Sequence, residues 1–190
     1  TVPLYIGQTV ANGVSIDWGD GSASETLAGT GNVNTSHTYA EPGDYVISLM
    51  PDDGCTLSFG ANSTSYCVMG ATGNNGKVYC NMLQEVYIRE NVTTINDYAF
   101  YKCYSLASIT IPTGVTSIGT YAFQYCYSLA SITIPTGVAS IRDYAFQNCY
   151  GMRYYDFSAC TSVPALSNTD AFGNIPSDCQ MLIPAALYDK

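Results

Sequence analysis

His37 is the single histidine among 190 residues, so imidazole-based acid–base chemistry has one place to occur. It lies within Ser36-His37-Thr38-Tyr39, a strand-like context that assigns it a structural role. A serine or cysteine nucleophile needs a general base within hydrogen-bond reach. The chain offers neither a second histidine nor a Gly-x-Ser-x-Gly element to assemble one. Paired carboxylates occur only as Asp17/Asp20 and Asp52/Asp53, both beside turn signals. A glycosidase pair needs an enclosing cleft, which a β unit of 53 residues does not supply. The chain therefore reads as non-enzymatic, with no cofactor.

Three acidic positions, Asp17, Asp20 and Asp44, have the oxygen chemistry of a Ca²⁺ site. The simpler expectation is local: Asp20 caps the Gly19-Asp20-Gly21-Ser22 turn and Asp44 caps the Pro42-Gly43-Asp44 turn through side-chain to backbone bonds. Trp18, the only tryptophan, is expected in a β core rather than as a sugar platform. Of eight cysteines, Cys80, Cys103, Cys126 and Cys149 recur every 23 residues at a core-facing position, where cysteine behaves as a small hydrophobe. Without a Cys-x-x-Cys pair they are expected as buried thiols, not metal ligands. Cys55, Cys67, Cys160 and Cys179 fall outside that series and leave a Cys55–Cys67 and a Cys160–Cys179 bridge open.

The elements that position these residues follow from an internal repeat. Residues 103–125 and 126–148 differ only at 116/139, 119/142, 120/143 and 125/148. Self-similarity at this period marks stacked supersecondary units, none able to bury its apolar face without a neighbour. The apolar register extends back to Cys80, Leu83, Val86, Ile88, Val92, Ile95 and Phe100, and forward to Cys149, Met152, Tyr155 and Phe157. A longer degenerate unit closes on Ala171-Phe172, and Leu57–Phe59 and Met181–Ile183 read as end rungs. Within one unit, Leu106, Ile109 and Ile111 predict a short parallel strand at 108–111 whose Ser108 and Thr110 point outward. Pro112-Thr113-Gly114 breaks it, because proline cannot donate to a ladder and glycine suits a turn. Val115, Ser117 and Ile118 predict a second β segment, and Tyr121-Ala122-Phe123 a helical or 3₁₀ turn.

The succession Ala-Phe, Cys, Leu, Ile-x-Ile-Pro, Val-x-x-Ile and again Tyr-Ala-Phe resembles the BspA-type (Treponema pallidum-type) leucine-rich repeats of bacterial surface proteins, over about residues 55–190. The preceding segment is different. Ile16–Ser22 (IDWGDGS) and Ser36–Leu49 (SHTYAEPGDYVISL) resemble the signatures of PKD-type immunoglobulin-like domains. Strands are expected at 14–18 and 45–49, with the opening strands of such a domain abbreviated or missing. The expected fold class is mainly β: an N-terminal Ig/PKD-like sandwich (1–53) followed by a leucine-rich-repeat solenoid of 23-residue repeats with short parallel strands (54–190).

Charge divides at the same place. Residues 1–53 carry seven carboxylates and no lysine or arginine; residues 54–190 hold all six basic residues against eight acids. A net charge of −9 disfavours nucleic acid, whose phosphates call for a basic face. No apolar run reaches the ~18 residues of a membrane span, so membrane insertion is not expected. No leader is legible at Thr1.

The expected binding surface is the outward row of the solenoid strands: Glu85 and Tyr87, Ser108 and Thr110, Ser131 and Thr133, Tyr154 and Asp156. Tyr87 and Tyr154 are its expected anchors, since tyrosine offers rigid amphipathic contact area. A second series, Tyr98/121/144 with Tyr104/127/150, repeats on the opposite side and is expected to stack. The resemblances imply an extracellular adhesion module on a cell or virion surface, contacting a protein or glycan of a host or neighbouring cell. The alternative is a structural component of a surface or phage assembly (fibre, tail or decoration protein) that self-associates.

Overall fold

The computed structural model describes residues 1–59, 66–71, 82–88 and 92–187. Its first segment holds five strands: β1 (Val2–Gln8), β2 (Val14–Asp17), β3 (Glu25–Thr26), β4 (Gly31–His37) and β5 (Ser48–Pro51). Strand β2 sits between β3 and β5 in one antiparallel sheet, and β1 pairs antiparallel with β4 in another. Alternation along β1 and β2 turns Val2, Leu4, Ile6, Val14 and Ile16 into the core beside Trp18 and Leu27. The opening strand is not abbreviated: β1 has seven residues, matching β4 in length. The last strand starts at Ser48, not Tyr45. Its approach is occupied by the Gly19 turn (φ +77), where a Cβ would lie 2.4 Å from the Val46 carbonyl oxygen, so residues 45–47 pack against that turn instead of pairing.

Strand β6 (Leu57–Phe59) joins the two segments. It pairs antiparallel with β1 and parallel with β10 (Val92–Ile95). A two-residue hairpin of β7 (Tyr66–Cys67) and β8 (Gly70–Ala71) packs beside β1, and Tyr5 N donates to Val68 O at 2.9 Å. Beyond β10, β12 (Ser117–Ile118), β14 (Ser140–Ile141) and β16 (Ala165–Leu166) add parallel strands in equivalent register. The result is one seven-stranded sheet, β16-β14-β12-β10-β6-β1-β4, shared by both segments.

The other solenoid wall consists of β9 (Glu85–Tyr87) with β11 (Ser108–Thr110), and β13 (Ser131–Thr133) with β15 (Tyr154–Asp156) and β17 (Gln180–Leu182), all parallel. The predicted end rung at Met181–Ile183 lies one residue early. The turn that closes the last rung, Thr169–Phe172, is a 3₁₀ helix as expected, and the Tyr121 turn is 3₁₀-like. The latter is a run of i to i−3 bonds, Ala122 N to Gly119 O and Gln124 N to Tyr121 O, in which Tyr121 takes φ +57. These turns also bond from rung to rung: Phe100 N to Ala122 O at 2.7 Å, Phe123 N to Ala145 O at 2.8 Å, Phe146 N to Ala171 O at 2.7 Å.

Inside the coil, Leu106, Val115, Ile118, Ala122, Phe123 and Cys126 are buried, as are Leu129, Val138, Ile141, Ala145, Phe146 and Cys149 of the next repeat. Phe59, Phe100, Phe123, Phe146 and Phe172 form a ladder with centroid separations of 5.7, 5.2, 5.2 and 5.5 Å. Backbone spacing in the sheet sets this period, and aromatic stacking adds to the burial. Among the described residues, no helix is long and apolar enough to cross a membrane.

Candidate binding surface

Strands β9, β11, β13 and β15 are three residues long, so each turns its middle side chain inward and the two flanking ones outward. Val86 packs against the core, and Ile109, Ile132 and Tyr155 are buried in it. Glu85, Tyr87, Ser108, Thr110, Thr133 and Tyr154 are exposed, whereas Ser131 and Asp156 are half-buried. The eight positions do share one side of the coil, but not one hydrogen-bonded sheet. β9 and β11 form a two-stranded sheet, and β13 and β15 continue instead into β17.

The two halves differ chemically. In the first, Glu85 Oε1 accepts from Tyr87 Oη at 2.9 Å and from Ser108 Oγ at 2.8 Å, which holds three side chains in one arrangement. The hydrogen bond to Glu85 pushes the Tyr87 phenol above its ordinary value, so it remains a donor. In the second, Asp156 Oδ1 accepts from Ser158 N at 2.8 Å, and Tyr154 stands 41% exposed opposite Gln180. Sequence reasoning assigned no outward role to Gln180 and Leu182. Their signal was available, because they repeat the flanking positions of β15.

The thiols fill the interior. Cys103, Cys126 and Cys149 are buried and reduced; Cys80 lies outside the described residues. Cys126 Sγ donates to Phe100 O at 3.3 Å and Cys149 Sγ to Phe123 O at 3.2 Å. Burial pushes the Cys149 thiol up to about 12, and Cys103 and Cys126 upward as well. A thiol kept protonated in this way is neither nucleophile nor ligand. Neither bridge left open by the sequence forms. Cys67 is disulfide-bonded while Cys55 keeps its thiol, and Cys160 and Cys179 are both thiols, Cys160 donating to Ile134 O at 3.4 Å.

Tyrosine rows cover the turns. Tyr98, Tyr121 and Tyr144 follow one another at 4.9 and 4.9 Å; Tyr104, Tyr127 and Tyr150 at 5.0 and 5.5 Å. Tyr101 and Tyr125 connect the rows edge-on, Tyr101 touching Tyr98 and Tyr125 touching Tyr127, so the rings make one continuous wall. Lys102 Nζ lies 5.1 Å from the Tyr101 ring centroid.

A family model described as the BspA type leucine-rich repeat region matches residues 75–179 in six copies. The chain belongs to the BspA-type leucine-rich repeat family. Among solved structures, a leucine-rich repeat protein from Bacteroides ovatus is 29% identical, with a TM-score of 0.48 over 57% of this chain and 27% of that one. Another from Bacteroides capillosus is 25% identical, with a TM-score of 0.44 over 51% of this chain and 75% of that one. This chain thus spans about a quarter of the length of the first. No curated protein matches it.

The BspA-type match begins at residue 75 and leaves the His37 region outside it. There Trp18, 1% exposed, is a core residue, stacked on His37 at 4.9 Å with Nε1 directed to Glu25 at 3.3 Å. Tyr39 Oη donates to Trp18 O, and the Tyr39 ring stacks on Tyr45 at 4.0 Å. Asp20 caps its turn as expected, Oδ1 accepting from Ser22 N at 3.0 Å, while Oδ2 meets His37 Nε2 at 2.7 Å. Asp17 Oδ1 accepts from Gly19 N. The expected Asp44 cap is not made; Tyr45 Oη ties that turn by donating to Glu41 O at 2.8 Å.

Hydrogen bonds from Ser22 and then His37 hold the Asp20 carboxyl well below its ordinary value of 3.8. A carboxylate whose folded value is depressed contributes stability above its unfolded value and loses it as the pH falls through the folded one. The expected result is a melting temperature insensitive to this group between pH 7 and 5 that declines below about pH 4. Asp20→Asn should melt lower at pH 7 and show a shallower acid decline in circular dichroism melts. Parallel acid profiles for the two proteins would show that the carboxylate is not the source.

Proposed function

We propose that this chain is an extracellular, non-enzymatic binding module that adheres to a protein or glycan on a host or neighbouring cell. Contact is made through Glu85, Tyr87, Ser108, Thr110, Ser131, Thr133, Tyr154 and Asp156. The observation that carries this reading is the outward row of β9 to β15, in which a tyrosine 74% exposed stands beside a carboxylate held by two hydroxyl donors. An ordered polar surface with exposed aromatic anchors loses little side-chain entropy on binding. The resemblance of the repeats to bacterial surface proteins supports display outside the cell. Residues 1–53 act in this reading as a PKD-like spacer, supported by their two antiparallel sheets, the Asp20-capped turn and the buried Trp18.

The test is a screen of glycan arrays and of intact bacterial and host cells with the labelled chain, repeated with Tyr87→Ala/Tyr154→Ala. Anchors of this kind dominate affinity, so the double variant should bind about tenfold more weakly or worse. Undiminished binding by a folded double variant removes this face from the mechanism. The second reading, a structural component of a surface or phage assembly, is favoured by the tyrosine wall on the turns.

A further inference from the structure

We propose that the open edge of β17 and the apolar cavity beside it form a second binding site, which takes an extended peptide segment of a partner protein carrying one aromatic side chain and a basic residue. The site lies at the end of the coil, apart from the outward row of β9 to β15.

The last rung repeats the inward positions of the rungs before it without their burial. Leu166 pairs in register with Ile141, and Met181 with Tyr155. Ile141 and Tyr155 are fully buried, whereas Leu166 and Met181 are 48% and 40% exposed. Together with Phe157, Phe172, Ile183 and Leu187 they line a cavity of about 110 Å³. An apolar cavity of roughly 150 Å³ takes one benzene ring, so this one is of a size for a single side-chain ring. None of its lining residues is charged, which selects a neutral occupant. Cys160 and Met181 also place sulfur in the lining, and sulfur makes favourable contacts with aromatic rings.

Backbone geometry makes the occupant a strand. Gln180 N donates to Arg153 O at 2.9 Å, and Leu182 O accepts from Phe157 N at 2.8 Å. Both residues thus turn their peptide groups to β15. Alternate residues of a parallel ladder bond to opposite sides, so the N–H and C=O of Met181 face the other edge. Among the described residues, β17 ends its sheet there. An extended segment that bonds to Met181 continues the sheet by strand addition and sends its inward side chain into the cavity. That side chain is the next member of the column Ile132, Tyr155, Met181. Tyr155 shows that the column accepts a ring, packed edge-on to Phe146 and Phe172 at 5.3 and 4.8 Å.

Charge supplies the second half of the specificity. Residues 157–187 hold Asp170 and Asp178 and no lysine or arginine. Asp178 is exposed and stands three residues before Met181. A parallel segment with a basic residue three positions before its aromatic one therefore brings opposite charges together. Two copies of this rung would bring like charges together, so a second copy of the chain fits the end less well than a basic partner does.

The test is an NMR titration of the isotope-labelled full chain with the blocked hexapeptide Lys-Val-Thr-Phe-Thr-Val. It should saturate with a dissociation constant below about 1 mM and shift amides of residues 163–187. The same peptide with alanine for phenylalanine should bind at least tenfold more weakly, and with glutamate for lysine about two- to fivefold more weakly at low salt. Val163 lines the cavity and is 65% exposed. Val163→Lys should weaken binding at least tenfold while its melting temperature stays within a few degrees of the parent. Tyr87→Ala/Tyr154→Ala should bind the peptide like the parent, which separates this site from the adhesive row. A titration that does not saturate overturns the proposal, as do equal affinities for the phenylalanine and alanine peptides or binding that persists in Val163→Lys. Toluene bound as tightly as the peptide would make the cavity a site for a small apolar molecule instead. Self-association in sedimentation equilibrium that Val163→Lys abolishes would make the occupant a second copy, and overturns it too.

Discussion

Phe123→Ala should cost roughly 3–5 kcal/mol and lower the thermal midpoint by roughly 6–20 °C. Phe123 is fully buried at the middle of the ladder, with rings stacked on both faces at 5.2 Å, and its backbone bonds to the next rung through Ala145. Truncation removes two stacking contacts and leaves a cavity that the rungs cannot close, because parallel-strand spacing holds them apart. Phe172 provides the control. It is the half-buried last ring of the ladder, stacked on one face only, at 5.5 Å from Phe146. Phe172→Ala should therefore lose markedly less in circular dichroism melts of both variants. Equal losses would show that the ladder does not couple the rungs, contrary to the nearest-neighbour behaviour of repeat proteins.

Tyr155→Phe should have the opposite sign and stabilise the fold by about 1–3 kcal/mol. The Tyr155 hydroxyl is buried and has no hydrogen-bond partner among the described residues. Desolvation pushes its phenol far upward, reinforced by the thiols of Cys149, Cys179 and Cys126, so the group stays neutral and bears the full cost of an unmet donor. Phenylalanine removes the oxygen and keeps the edge contacts to Phe146 at 5.3 Å and Phe172 at 4.8 Å. Tyr155→Ile restores the residue found at the equivalent positions Ile109 and Ile132, yet should destabilise, because the surrounding rings are arranged around an aromatic. Denaturant unfolding of the three proteins decides the matter. A Phe variant weaker than the parent would mean that the hydroxyl is satisfied, with an ordered water as the first candidate.

These two residues show where reading the chain succeeds and where it stops. Phe123 was legible as a ladder residue because it recurs every 23 positions with Cys126 and Leu129, and repetition converts a sequence period into a spatial one. Tyr155 was placed correctly on the inward row. That its hydroxyl would find no partner depends on what surrounds the end of a long side chain, including Cys179 from a later rung. The outward row was equally legible from period-two alternation. The split between β11 and β13, and the pinning of Glu85 by Tyr87 and Ser108, required strand register across rungs.

The left-handed tyrosines were not legible at all. Tyr98, Tyr121 and Tyr144 precede Ala-Phe in a pattern compatible with a helical turn, and nothing in tyrosine signals positive φ. Rung-to-rung bonds such as Tyr121 N to Asp143 O override the local preference. The cysteines show the same division. Their spacing identified buried thiols at 103, 126 and 149, while the state of Cys55, Cys67, Cys160 and Cys179 depended on distances between segments far apart in the chain.

By itself, the sequence determined the solenoid, its period, its inward and outward rows and the acidic segment before it, since each follows from a local pattern that stacking only repeats. The tertiary structure alone decided that β6 and β1 fuse that segment to the solenoid in one seven-stranded sheet, and that the tyrosines join into a continuous wall. Both depend on contacts between residues that no local period relates, where hydrogen bonds and packing across the fold outweigh the preferences of any single stretch of chain.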